Sequence, residues 1–206
     1  LRASLVKAIG EPAFLGVYSL VAFATLGWLA FAYRAVPAEA PYWAVGDGLW
    51  IAGTIITYVA SVLFVGSLLG NPALPNPTGR AAPVPEPRGV FSVTRHPMMW
   101  GFALWGVAHI LVMPTSSNVV LAGTIIVLAL AGAALQDRKK AQLQPETWRA
   151  WEARTSYWPL AAVAAGRTKF TPAGVVPILG GIALWLGATW AHQPLAGFAA
   201  GVWRWL

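Results

Sequence analysis

His96, His109 and His192 are the residues best placed to do chemistry, because the chain has no cysteine and only seven carboxylates among 206 residues. Without thiols there is no thiolate zinc site, iron–sulfur cluster or Cys nucleophile, so a metal would rest on imidazole, carboxylate or thioether ligands. His96 and His109 lie 13 residues apart in one apolar segment, roughly 20 Å along a straight helix. They cannot share an ion whose imidazole ligands each sit about 2 Å away. His109 and His192 fall toward the same end of two different apolar segments, so helix packing permits them to meet without requiring it. Helical spacing puts Met98, Phe102, Trp105 and His109 on one face, with Gly101 beside it. A planar apolar cofactor such as haem suits this face, since neutral imidazole is a common haem-iron ligand. Ordinary helix packing suits it too, with Gly101 and Gly106 admitting either a ring or a second helix to the backbone.

The carboxylates Glu11, Glu39, Asp47, Glu86, Asp137, Glu146 and Glu152 all fall at or beyond the ends of apolar segments, which argues against a proton relay built on buried acids. Asp137 is the one placed to pair with Arg95 and His96. His96 precedes Pro97 and also suits a helix start, with Pro97 as first helical residue. No HExxH, Walker loop or strand-linked GxGxxG is present, so the corresponding metalloprotease, nucleotide-binding and dinucleotide-binding motifs are missing.

The elements that must position these residues are membrane helices. The chain is 57% hydrophobic and 10% charged, whereas soluble domains carry roughly 25% charged residues. Runs of about 20 apolar residues are needed to cross a bilayer, and five candidates occur at about 14–33, 48–69, 98–113, 118–135 and 172–191. The fold expected is all-α, a polytopic transmembrane bundle forming a single membrane domain over residues 1–206. The third span is short, bounded by Pro97 and Pro114. The tail from Leu195 to Leu206, with Trp203, Arg204 and Trp205, reads as an interface anchor.

Alternating the connections across five spans places every one of the 14 basic residues except Arg34 and Arg204 on one face. By the positive-inside rule that face is cytoplasmic and the C-terminus lies on the opposite, periplasmic side. The net charge of +7 is therefore assigned to lipid headgroups, and no nucleic acid is expected as a partner. Two loops share the basic face. Residues 71–97 hold seven prolines, from Pro72 through Pro75, Pro77 and Pro83 to Pro97, and read as an extended surface segment. Residues 136–171 carry Trp148, Trp151, Thr155 and Trp158 at helical spacing, which reads as an amphipathic interfacial helix. The chain opens at Leu1 on a short basic stretch, and one further helix is expected before it, giving six spans in all.

The run Val93-Thr94-Arg95-His96-Pro97-Met98-Met99-Trp100-Gly101-Phe102-Ala103-Leu104-Trp105-Gly106-Val107-Ala108-His109 resembles the signature of the NnrU family of polytopic membrane proteins. Similar features span nearly the whole chain: Gly10-Glu11 with Gly16, Tyr18 and Ser19; Trp148, Trp151, Thr155-Ser156 and Pro159; His192, Leu195 and Gly197. The resemblance implies a bacterial inner-membrane protein that supports denitrification, the reduction of nitrite and nitric oxide. It also implies kinship with plant zeta-carotene isomerases, which use haem b to isomerise a central 15-cis double bond. Carried over, His109 matches a haem ligand. Its partner in the family is a histidine in the expected preceding helix, with His192 as the substitute here. Trp105 would flank the cofactor, and Arg95 and His96 are further candidates for binding it, Arg95 as a propionate partner or a snorkelling anchor.

Two other readings remain open. The Arg-His-Pro element also resembles, over a shorter stretch, isoprenylcysteine carboxyl methyltransferases. That implies S-adenosylmethionine held by Arg95, His96, Glu152 and Arg154. The composition equally allows a non-catalytic accessory or assembly subunit of a respiratory or photosynthetic membrane complex.

Overall fold

The computed structural model describes residues 2–74 and 84–206. Pro75, Pro77, Arg80 and Pro83 of the proline-rich loop lie outside them. The described residues are helical, with no strand among them, and fall into two compact units, Leu1–Ala40 and Pro41–Leu206.

The first unit holds α1 (Arg2–Ile9) and α2 (Glu11–Arg34). Gly10, at φ 81°, breaks the run between them, and Pro12 in the first turn of α2 lacks only a donor that a helix start leaves unused. No residue of α2 is buried within this unit.

The second unit contains α3 (Asp47–Ser67), the single turn α4 (Val90–Val93), α5 (Pro97–Val112), α6 (Ser116–Leu143) and α7 (Pro145–Arg154). A turn α8 (Ala161–Ala164), α9 (Val175–Trp190), α10 (His192–Ala196) and a 3-10 turn, Gly201–Arg204, complete it. Four helices, α2, α3, α6 and the α9–α10 stretch, are long and apolar enough to cross a membrane, and α5 is a shorter apolar helix. These coincide with the five expected spans, and the chain is a multi-pass helical membrane protein. One boundary moves: α6 runs 28 residues to Leu143, about 42 Å against a hydrocarbon core of about 30 Å, so its charged last turns project beyond the apolar stretch.

α3 is the hub, packing against both α5 and α9, while α6 packs on the far side of α5. Small residues allow the close approaches. A Cβ at Gly101 would lie 2.9 Å from the Ala60 carbonyl of α3, and one at Gly106 2.9 Å from the Ala122 carbonyl of α6. These two glycines therefore admit helices and not a ring. Gly181 of α9 faces Val62 of α3 in the same way. Pro114 follows the end of α5, whose last carbonyls are capped by Asn118: its Nδ2 donates to His109 O at 2.9 Å and Met113 O at 2.7 Å. The same corner is pinned to the segment before α3, where the Tyr42 amide donates to Pro114 O and the Trp43 indole to Leu111 O.

The 136–171 loop departs from expectation. The amphipathic helix forms as α7 but ends at Arg154, so Trp158 lies beyond it and is exposed. Trp148 and Trp151, each 1% exposed, do not face lipid; they enter the protein core with Leu63, Ala73, Val90 and Phe91. Their spacing satisfies a tertiary apolar partner as well as a bilayer, and α4 with the end of α3 supplies it. The tail also differs from a free anchor: the 3-10 turn packs back on α9 and α3.

Candidate functional site

His109 stands near the end of α5, and His192 opens α10 directly after α9; α3 lies between the two helices as a floor. Their rings come within 6.0 Å, centre to centre. Each ring is oriented by a backbone carbonyl one turn earlier in the chain. The Nδ1–H of His109 donates to Trp105 O, and that of His192 to Ala188 O, both at 2.8 Å and both four residues back. Each Nδ1 thereby carries a proton, and Nε2 is the ring atom each histidine would offer to a metal. Trp105 lies against His109 at 3.9 Å between ring centres, and Phe198 lies 5.6 Å from His192.

Two cavities adjoin this pair. One of about 300 Å³ includes Trp50, Thr54, Met113, Phe198 and Arg204 in its wall. The other, about 240 Å³, includes Phe64, Phe102, Trp105, Leu184 and Trp185. Thr57, His109, Thr189 and His192 belong to both. The lining is largely apolar, with a few polar groups, the usual character of a small-molecule site. The Thr57 hydroxyl is engaged, donating to Gly53 O and accepting from the Trp185 indole. The Thr54 hydroxyl oxygen is buried without a partner, an unmet demand costing about 1–3 kcal/mol unless something in the site answers it.

The fit to a cofactor can be tested on these distances. With ring centres 6.0 Å apart, the two imidazoles are close enough for both to reach one metal at about 2 Å. No cluster of three or more His, Cys, Asp or Glu side chains occurs among the described residues, so the donor set does not suit a closed four-ligand zinc site. A haem, whose macrocycle supplies most of the iron's ligands, would suit it better, held by His109 and His192.

Arg95 and His96 do not join this site. They lie at the opposite end of α5, in a separate cluster around Asp137. Arg95 donates to Asp137 Oδ2 through Nε at 2.9 Å and Nη2 at 2.6 Å, and His96 Nε2 donates to Oδ1 at 2.7 Å. The Asp137 pairing read from the sequence is present, and Glu152 approaches Arg95 at 3.6 Å. His96, 2% exposed, occupies the N-cap position of α5 but makes no capping bond with its side chain. Arg154 turns away to Glu86 at 2.6 Å. The residues 155–160 clasp this end: the Arg95 amide donates to Ser156 O, the Thr94 hydroxyl and the Trp100 indole to Tyr157 O. Tyr157 donates its hydroxyl to Leu130 O at 2.6 Å. Burial, reinforced by the Asp137 charge, raises the pKa of this phenol above its ordinary value, with Arg95 opposing.

Sequence reasoning brought out His109, His192 and Trp105 but missed Thr54 and Thr57, whose signal was two hydroxyls three residues apart inside a span. It also left Trp50, Trp185 and Phe198 unmarked, since aromatic residues in spans are unremarkable until a cavity selects them. Arg204 was read only as an anchor.

The chain is similar to two plant proteins named 15-cis-zeta-carotene isomerase, chloroplastic. The one from Zea mays is 36% identical over 81 residues, 39% of this chain and 22% of the relative. The one from Arabidopsis thaliana is 32% identical over 115 residues, 53% of this chain and 31% of the relative. The matched regions thus cover less than a third of either relative. No solved structure matches. The family model described as NnrU protein matches residues 1–200, and the chain belongs to the NnrU protein family.

Proposed function

We propose that the protein binds haem b between α5, α9–α10 and α3, with His109 and His192 as the residues that would hold its iron, and acts on an apolar ligand within the membrane. The observation that carries this reading is the pair of imidazoles with ring centres 6.0 Å apart, each with Nδ1 bonded to a backbone carbonyl so that Nε2 is the atom left for a metal. When bound, the haem would supply an iron centre for Lewis-acid or redox chemistry. The chain's own residues do the rest. The backbone bonds to Trp105 and Ala188 hold both rings in one tautomer, and the apolar wall of Phe64, Phe102, Trp105 and Trp185 keeps water out. Phe102 and Leu184 are each 41% exposed and would face acyl chains, giving an apolar substrate a lateral approach.

The similarity to zeta-carotene isomerases favours isomerisation of a polyene double bond as the activity. The family's naming favours support of nitrite and nitric oxide reduction in a bacterial inner membrane. Either use fits a lipid-facing apolar site. No observation favours the methyltransferase reading, because Arg95 and His96 are already engaged by Asp137.

The test is a pyridine haemochrome and reduced-minus-oxidised spectrum of the protein purified in mild detergent. A stoichiometric b-type signal is expected, lost in His109→Ala and in His192→Ala while the variants remain folded. A spectrum without haem, from protein expressed with ample haem, would leave the non-catalytic accessory or assembly subunit as the reading to pursue.

A further inference from the structure

The outer rim of the larger cavity carries an arginine that the helical scaffold holds in place. Arg204 ends the 3-10 turn, and two contacts fix that turn. The Trp203 indole donates to Leu186 O at 3.1 Å. Gly201, at φ 58°, approaches α9 so closely that a Cβ would lie 2.7 Å from the Thr189 side chain, a place only glycine fills. The guanidinium lies over the Trp50 ring at 4.7 Å, a stack that holds its planar fork of donors. Its contact with Asp47 is long, 3.5 Å, and the Asp47 side chain is 73% exposed. A charge-assisted bond is about 2.7–2.9 Å, so this pair is loose and solvent-screened.

On the topology expected from the spans, Arg204 is also one of only two basic residues opposite the basic loops, where the positive-inside bias disfavours them. The rest of the wall is largely apolar, apart from the imidazoles of His109 and His192 and the threonines Thr54, Thr57 and Thr189.

From this arrangement we propose that Arg204 binds a carboxylate at the cavity mouth, so that the site takes an amphiphile with an apolar body and an anionic end. Arg204 serves as a binding residue and not a catalytic one. The carboxylate has two sources that share this chemistry: the propionates of haem, in which case the inference rests on the haem reading above, or the headgroup of a long-chain fatty acid, in which case it does not.

The experiment measures binding of two matched pairs of probes to the full chain in non-ionic detergent. The pairs are ferric protoporphyrin IX with its dimethyl ester, and a fluorescent long-chain fatty acid with its methyl ester. In at least one pair the acid should bind wild type about tenfold more tightly than Arg204→Gln, while the ester binds both alike. Arg204→Lys should keep most of the preference for the acid and serves as the second variant if Arg204→Gln does not fold. Selectivity confined to the fatty acid, with no porphyrin binding, sustains the inference and ends the haem reading. Porphyrin binding in which acid and ester are affected equally by Arg204→Gln, or not at all, with no selectivity in the fatty-acid pair, sustains the haem reading and overturns the inference. Failure of all four probes to bind overturns both.

Discussion

Asp137 is the residue on which the basic-face cluster depends, since one carboxylate accepts from both Arg95 and His96 at side-chain exposures of 13%, 11% and 1% for Arg95, Asp137 and His96. Removing one partner of a buried pair leaves a charge unmatched, typically at about 3–5 kcal/mol. Asp137→Asn should therefore lower the thermal midpoint in detergent by more than any single change at the exposed Arg154–Glu86 pair, where surface bridges contribute about 0–1 kcal/mol. An equal effect of the two would mean the cluster is wetter than its geometry. Tyr157 gives a pH test. Its phenol titrates above its ordinary value in the folded chain, so the unfolded chain releases that proton first. Stability should fall as pH rises through the ordinary phenol value toward the folded one. Wild type minus Tyr157→Phe should isolate this slope, and parallel pH curves would contradict it.

At the scale of elements, the site exists because α3 separates α5 from α9 at a distance set by small residues. Gly101→Val should force α5 away from the Ala60 backbone, because a carbonyl cannot rotate aside as a side chain can. A cost of about 1–3 kcal/mol is expected from such overpacking, with weaker ligand binding at His109 two turns along. Gly123→Ala on α6 meets nothing within 4 Å and should be neutral or stabilising by about 0.5–1 kcal/mol through helix propensity. Thermal unfolding of both variants in the same detergent decides the matter; equal loss would show that the glycines act through the backbone alone. The capping of α5 by Asn118 belongs to the same scale, since it lets a 16-residue helix end beneath the surface with its carbonyls answered and His109 held at a fixed height.

For the whole molecule, the positive-inside bias predicts the side on which each loop lies. The chain has no cysteine, so single cysteines report cleanly. In right-side-out membrane vesicles a membrane-impermeant maleimide should label Gln193→Cys directly and Ala165→Cys only after permeabilisation. Labelling of both from outside would mean that α9 does not cross, and the separation of the basic cluster from the His109–His192 site by a bilayer would fall with it.

Much of this was legible in the residues. Hydrophobic run length set the helices, because a bilayer demands about 20 apolar residues and pays no regard to what they pack against. Proline set the start of α5, and the paucity of polar groups singled out His109 and His192. What the sequence left open was every choice between lipid and protein as the apolar partner. Trp148 and Trp151 carry an interfacial pattern, yet they turn inward because the end of α3 and α4 offer a close-packed alternative. Gly101 and Gly106 could have met a ring or a helix, and only the packing of α3 and α6 decided. The meeting of His109 with His192, 83 residues apart in the chain, and the folding back of Arg204 over Trp50 are long-range contacts. They depend on which helix faces which, and that is fixed by side-chain complementarity across helices rather than by any local run of residues.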